Sequence, residues 1–431
     1  MRFIHTADWH LGNQIHNINR TEEYIHFFDW LKKTIVEKGV EALIISGDIF
    51  DVVNPSVEAR KLYYSFLAGL SETCCSNIVV IGGNHDSGNM LDSSKELLEK
   101  LNIFVVGTAA NLTIDKMVFE LKNKENETIG ICLAVPFMRE VELKSFLENQ
   151  ELTDTAENLC DKGYKEVYDR AFEIAEKLRG GHDIPIIATG HLHTAGLSGL
   201  RSEENEKSQF DDGVKNLDVI GNLGKVHSNI FPQKIDYVAL GHIHYTTMVS
   251  KNPKIRYSGS PFLMGFDECR IRKCVLLVDA TSKELDVQKI EIENPLFLYN
   301  RIEGSIEEIK NAIENLKKEN IQKQTFLELS YKPEANKNIE IELEDSIKNL
   351  PENIHIANLK VYSENAKKID FEGFSEIEIG EIKNIDEKTL FTNLILSKLN
   401  LQKDSAEAEE ALKTCLPLFM EIMGEVEIEN P

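Results

Sequence analysis

Asp236-Tyr237-Val238-Ala239-Leu240-Gly241-His242-Ile243-His244 is the stretch on which the fold turns. An apolar run with strand character ends on a glycine, and two histidines follow, two residues apart. Short apolar runs bounded by turn residues suit strands buried on both faces of an α/β sheet. The loops at the carboxyl ends of such strands converge on one crevice. The pattern recurs upstream. Arg2–Ala7 leads to Asp8-Trp9-His10, and Ala42–Ser46 leads to Gly47-Asp48-Ile49-Phe50-Asp51. Asn77–Gly82 leads to Gly83-Asn84-His85-Asp86, and Ile184–Thr189 leads to Gly190-His191. Residues far apart in the chain can therefore meet at one place.

Further strand-like runs are Ile103–Gly107, Ile129–Val135 and Cys274–Val278. Between the first two motifs, Tyr24, Phe27, Phe28, Leu31 and Ile35 share a helical face that Gly39 can end. Pro55 and Ser56 open a second helix through Leu62, Phe66 and Leu70. The fold class read from this alternation is α/β, with buried strands in layers. The character changes near Asn294–Pro295. Ser305-x-x-Glu308 is a capping box ahead of Ile306, Ile309, Ile313 and Leu316 at helical spacing. Thr325–Tyr331, Asn338–Leu343 and His355–Tyr362 read as strands. Residues 1–295 are thus expected to form the main domain and 296–366 a small α+β domain. A polar, Glu-rich linker spans 367–385, and helices occupy 386–431. In the last segment Leu390, Phe391, Leu394, Ile395 and Leu399 share one helix, and Leu412, Leu416, Phe419 and Met423 another. Leu200–Asn216 reads as a solvated surface insertion.

The residue types after the five strands suit a metal site. Imidazole and carboxylate donors together match first-row transition metals, whereas magnesium prefers nearly all-oxygen shells. A carboxylate bridging two cations lets the pair clamp both oxygens of a phosphoryl displacement and activate water. Taken singly each motif is weak. Five in this order, each after a strand, make a chance origin a poor explanation.

Bulk composition narrows the options. The net charge is −24, with 16 Lys+Arg against 28 Asp+Glu in residues 301–431. A protein that grips nucleic acid unaided should be basic, so the sign argues against a stand-alone DNA binder. The acidic C-terminal third reads as a solvated surface or as a dock for a basic partner. Seven cysteines, an odd number including the adjacent Cys74 and Cys75 and no Cys-x-x-Cys, point to reduced thiols in the cytoplasm. No apolar run approaches the ~20 residues of a membrane span, and no signal peptide is expected at the N-terminus.

The motif order resembles that of the calcineurin-like metallophosphoesterases, and within them the SbcD nuclease subunits. Tyr257-Ser258-Gly259-Ser260-Pro261 followed by Phe266-Asp267-Glu268 looks like that branch's signature, as do Phe231-Pro232 and Asp236–His242. The resemblance is strong over about 1–285 and looser after it. It implies a β-sandwich flanked by helices, with a small α+β capping domain and C-terminal helices. It also implies two Mn²⁺ ions per chain, with Fe²⁺, Zn²⁺ and Mg²⁺ less favoured. Asp8, His10 and His244 would hold the first ion, Asn84, His191 and His242 the second, and Asp48 would bridge them. His85 would act on the scissile phosphate with Asp86 orienting it. Asp51 would lie toward the DNA, and His193 behind the ligands or at the surface. The implied activity is a 3′–5′ double-strand exonuclease and a single-strand and hairpin endonuclease in DNA repair, recombination and replication. The implied partners are DNA ends and hairpins, an SbcC-type coiled-coil ATPase bound by the C-terminal helices, and a second copy of the chain. Leu62, Phe66, Leu97 and Leu98 either line the dimer's four-helix seam or face the chain's own core. A metallophosphatase or cyclic-nucleotide phosphodiesterase would carry the same five motifs without the signature and the appended domain. An inert scaffold would show gaps among the ligands, and there are none.

Overall fold

Alternation along the first strand sets up the layers. In β1 (Arg2–Thr6), Phe3 and His5 face a second sheet, while Ile4 faces a helical layer. In β2 (Ala42–Ser46) the same split puts Ala42 and Ile44 inward and Leu43 and Ile45 outward. The structure is a computed structural model that describes residues 1–147, 156–194, 226–319, 321–331, 339–361 and 412–413.

The first sheet joins β1 and β2 to β3 (Asn77–Ile81) and β4 (Ile103–Val106), all parallel. Antiparallel β11 (Cys274–Ala280) and β12 (Leu285–Glu291) complete it on the other side, in the order β12-β11-β1-β2-β3-β4. The second sheet contains β5 (Val118–Lys122), β6 (Thr128–Leu133), β7 (Ile186–His191), β8 (Tyr237–Gly241), β9 (Thr247–Met248) and β10 (Ile255–Tyr257), in the order β5-β6-β7-β8-β10-β9. The parallel strands β6, β7, β8 and β10 form its centre. The sheets pack face to face. Apolar residues of both fill the space between them, and Ser46 Oγ donates across the gap to the Ala239 carbonyl at 3.0 Å.

Helices cover the outside. α1 (Thr21–Lys38) buries Tyr24, Phe27, Phe28, Leu31 and Ile35, and Gly39 ends it at φ 63°. α2 (Val57–Leu70) begins where the Ser56 side chain accepts from the Ala59 amide at 3.1 Å. Short helices α3 (Gly88–Asp92), α4 (Lys95–Glu99) and α5 (Glu140–Ser145) follow, and α6 (Ala156–Arg179) packs on the second sheet. This is the helix-flanked β-sandwich that the resemblance implies. Of the four residues offered for a dimer seam, Phe66 stacks on Phe28 at 4.3 Å, and Leu98 is buried in the same core. Both therefore belong to the chain's own interior. Leu62 is partly buried beside them, and Leu97 is 71% exposed.

Three parallel strands, β13 (Leu298–Gly304), β14 (Thr325–Tyr331) and β15 (Ile354–Val361), form a third sheet. α7 (Ile306–Lys318) opens with the expected reciprocal cap between Ser305 and Glu308 and buries Ile306, Ile309 and Ile313. α8 (Ile339–Lys348) stands where Asn338–Leu343 reads as a strand. The apparent alternation is the start of a helix. Leu343 is buried, and Ile347 and Leu350 pack on the same small core at spacings of four and three. Residues Met1–Tyr362 form one compact unit. Within it Ile15, Ile18, Leu263 and Phe266 pack against Tyr299, Phe326 and Ala357 of the third sheet. The insertion at Leu200–Asn216, the linker at 367–385 and, apart from 412–413, the C-terminal helices lie outside the described residues.

Candidate metal centre

The carboxyl ends of five parallel strands deliver the candidate side chains. Asp8 and His10 follow β1, Asp48 follows β2, and Asn84 and His85 follow β3. His191 is the last residue of β7, and His242 and His244 follow β8. Four of these residues have backbones in the left-handed region: Asp8 (φ 54°), His10 (φ 44°), Asp48 (φ 50°) and His242 (φ 96°). Non-glycine residues there cost about 1–3 kcal/mol each and persist only where their surroundings over-determine them.

The surroundings do so here. The Asp8 amide donates to the Gly47 carbonyl at 2.9 Å and the His10 amide to the Asp48 carbonyl at 3.0 Å, closing the first two loops on each other. The buried Asp86 carboxylate accepts from the amides of Ile49 (3.1 Å), Phe50 (2.9 Å) and Gly83 (2.8 Å), tying the second loop to the third. Ser260 Oγ donates to the Asp8 carbonyl at 2.7 Å, and the His242 amide donates to Asp8 Oδ1 at 2.8 Å. Two glycines are required by space. A Cβ at Gly83 would collide with the Asp48 carboxylate, and one at Gly241 with the Ser46 carbonyl.

Asp48 lies between donors from both sheets. Its Oδ2 is 3.2 Å from His191 Nε2 and 3.6 Å from His10 Nε2. Asn84 Oδ1 is 3.0 Å from both His191 Nε2 and His242 Nδ1. Ligand atoms of Asp8, His10 and His244 lie within 4.8 Å of one another, and so do those of Asp8, Asp48 and His191. A third such group is His10, Asp51 and His85. Asp51 thus joins the centre directly, with Oδ1 3.3 Å from His10 Nδ1. His193 is outside these groups, its ring 6.2 Å from that of His242.

His85 sits at the mouth, its ring 4.9 Å from that of His10. The contact that orients it is the Asp51 carbonyl, which accepts from Nδ1 at 3.0 Å. The role expected of Asp86 therefore falls to Asp51, and Asp86 instead fixes the loops on which the ligands stand.

The electrostatics follow from burial and proximity. Burial opposes the charge of Asp48, but His191 and His10 outweigh it and hold the carboxyl far below the usual carboxylate range. Burial alone would depress His191; the facing Asp48 reverses this and raises the imidazole to about 9. Burial pushes Asp8 up, and Asp48 adds to the rise. Burial also pushes His242 and His244 down to about 3, so both are neutral and offer lone pairs. Asp8 Oδ2 and both ring nitrogens of His10 are buried without a hydrogen-bond partner. Buried polar atoms left open in this way need an explanation. Divalent metal binding among carboxylate, carboxamide and neutral imidazole donors supplies one.

Sequence reasoning did not find Ser46, Ser260, Asn13 or Arg20. Ser260 stands in the Tyr257–Pro261 signature, but nothing in the residue order shows that its hydroxyl reaches the Asp8 carbonyl.

The sequence profile of the calcineurin-like phosphoesterase family matches residues 1–246. The chain is 35% identical over 287 residues to the SbcD subunit of nuclease SbcCD from Escherichia coli (strain K12), covering 66% of this chain and 66% of that protein. It is 32% identical over 286 residues to the SbcD subunit from Rhodobacter capsulatus, covering 65% of this chain and 66% of that protein. For the SbcD subunit from Bacillus subtilis (strain 168) it is 31% over 287 residues, covering 66% and 67%. The matched region thus spans about two thirds of the length of these relatives. No helix among the described residues is long and apolar enough to cross a membrane. The chain belongs to the calcineurin-like phosphoesterase family, in the branch of the SbcD nucleases.

Proposed function

We propose that the chain is a DNA nuclease subunit, a phosphodiester hydrolase that works with two manganese ions. The observation that carries this reading is Asp48, a buried carboxylate 3.2 and 3.6 Å from histidines of two different sheets. Asp8, His10 and His244 would hold one ion and Asn84, His191 and His242 the other, with Asp48 shared. Four histidines among seven ligands support manganese over magnesium. Divalent ions so held polarise phosphoryl oxygens and ready water for attack near neutral pH. The chain's own residues position and protonate. Asp48 and Asp8 supply the negative charge. Asp86 fixes the loops. His85 donates Nδ1–H to the Asp51 carbonyl and so aims Nε2 at the leaving oxygen; in the imidazolium form Nε2–H gives its proton to that oxygen and leaves the neutral ring.

The relatives' names, as one subunit of a nuclease complex, support a partner, an SbcC-type coiled-coil ATPase, in the cytoplasm. The acidic surface, with a net charge of −24, supports a subunit that leaves part of the DNA contact to that partner. In this reading residues 1–295 cut, 296–366 cap the site, 367–385 link, and 386–431 bind the ATPase, while two copies of the chain pair to face DNA ends and hairpins. The test is hydrolysis of a DNA hairpin and of bis(p-nitrophenyl) phosphate with Mn²⁺ or Mg²⁺, with and without the ATPase. Hairpin nicking by the chain with Mn²⁺, and ATP-dependent digestion of duplex ends once the ATPase is added, is the expected result. Hydrolysis of the small ester alone overturns the assignment to DNA, and equal activity in both metals overturns the assignment to manganese.

A further inference from the structure

Arg20, the residue just before α1, is charged yet only 1% exposed. A buried guanidinium without partners is strongly unfavourable, so its contacts indicate what it is for. Nε donates to Glu23 Oε2 at 2.6 Å, and Nη1 donates to the Leu263 carbonyl at 2.8 Å and to Asn13 Oδ1 at 3.2 Å. The rings of Tyr24, Phe262 and Tyr299 surround it at 5.6–5.9 Å. Two lines of polar contacts leave this centre. Toward the third sheet, Tyr299 of β13 donates its hydroxyl to Glu23 Oε2 at 3.1 Å. Toward the metal centre, Asn13 Nδ2 donates to Asp51 Oδ1 at 3.1 Å, and that oxygen lies 3.3 Å from His10 Nδ1.

Asn13 gives the second line its direction. Its carboxamide oxygen can serve only the guanidinium and its nitrogen only the carboxylate, so one orientation of the amide satisfies both. Asp51 at Nδ1 of His10 selects the tautomer whose Nε2 carries the lone pair, and such outer partners set both the aim and the strength of a metal-binding imidazole. The connecting loop runs from His10 to α1, and its Ile15 and Ile18 pack on the third sheet. Both these polar contacts and the backbone therefore join the third sheet to one candidate ligand.

We propose that Arg20 and Asn13 are positioning residues that aim His10 through Asp51, and that Tyr299 of the third sheet acts on the same ligand through Glu23 and Arg20. The proposal rests on the reading of His10 as a metal ligand. It makes the affinity of one ion depend on a hydroxyl of a separate sheet.

The test is a Mn²⁺ titration of the full chain followed by electron paramagnetic resonance, with thermal unfolding as the check on folding. Wild-type chain should take up two ions. Asn13→Ala should weaken one of them about 10-fold, the scale of lost outer partners, and leave the other unchanged. Tyr299→Phe keeps the ring and removes only the hydroxyl, so it remains informative if Asn13→Ala fails to fold. It should weaken the same ion by about 2-fold, a smaller effect because it acts two contacts further away. Asp51→Ala combined with Asn13→Ala should bind no worse than Asp51→Ala alone, because one line carries both effects. Wild-type affinities in Asn13→Ala and Tyr299→Phe, or losses that multiply in the double variant, overturn the inference while the metal reading stands. A wild-type chain that takes up no ion pair overturns the metal reading and this inference with it.

Discussion

The two large sheets bring different chemistry to one crevice. The first supplies Asp8, His10, Asp48 and Asn84, including both carboxylates proposed as ligands, on loops held by the Asp86 clasp and by three left-handed backbones. The second supplies His191, His242 and His244, two of them neutral by burial. Both carboxylates thus come from the first sheet and only histidines from the second, and Asp48 belongs to both because it faces His191. Such a division places the bridging charge where loop bonding is densest. His191 ends β7 itself, and His242 and His244 stand on the loop that follows β8.

Removing the charge is the hardest test of this division. Asp48→Asn should lose both ions and all measurable cutting of hairpin DNA, with metal affinity falling more than about 100-fold. Metal analysis that still found two tightly held ions would mean that the histidines of the second sheet suffice. The next effect separates binding from chemistry. His85→Ala should reduce cutting about 10²–10⁴-fold, the usual scale for a lost proton-transfer group, while two ions stay bound. Loss of one ion would move His85 into the ligand set and enlarge the first sheet's share.

The smallest effect concerns protons. At pH 7 the ion-free chain carries a proton on His191, because its imidazole is raised to about 9. An incoming cation must displace that proton, so affinity should climb with pH by up to about tenfold per unit and level off above about 9. In the ion-free chain the same pair lends stability that is full below the ordinary histidine value of 6.5 and fades as pH rises through about 9. Calorimetric titration of Mn²⁺ in buffers of different ionisation heat should therefore register proton release at pH 7. His242 and His244, held near 3, add nothing to it. No net release would mean that His191 is already neutral and that the two sheets are less different than their geometry suggests.

Much of the sandwich and its crevice was legible in the sequence, because four of the five site-bearing strands are largely apolar runs that lead into a glycine and a polar side chain, β1 alone lacking the glycine. Asp48 and His242 could be placed at strand ends for that reason. Residue order does not show the direction of a side chain within a loop. Asp86 reads as a partner of its neighbour His85, yet its carboxylate turns to three backbone amides, and it is Asp51 that touches His85 and His10. Helix α6 was missed although Tyr164, Val167, Tyr168, Ala171 and Ala175 lie on one buried face. Two of those five are alanines, which make a faint stripe in an otherwise charged segment. α8 was misread because Ile339-Glu340-Ile341-Glu342-Leu343 alternates like a strand. Only the packing of Leu343 and Ile347 on α7 and β14 favours the helix. The edge strand β12 has little inward face to betray it, since most of its residues are exposed.

The position of β1 in its sheet has a consequence for how the protein comes into being. β1 is held between β2, made soon after it, and β11, made more than 200 residues later, and the Met1 amine donates to the Ala280 carbonyl at 2.9 Å. Asp8 likewise waits for the amide of His242 and the hydroxyl of Ser260. A ribosome adding about 5–20 residues per second therefore spends tens of seconds building a chain that holds half of its donors and none of the second sheet's histidine pair. Pairings so distant in sequence also form slowly. The centre thus cannot close until β8 and β11 have been made, and a chain released before then carries the fingerprints of a nuclease without its blade.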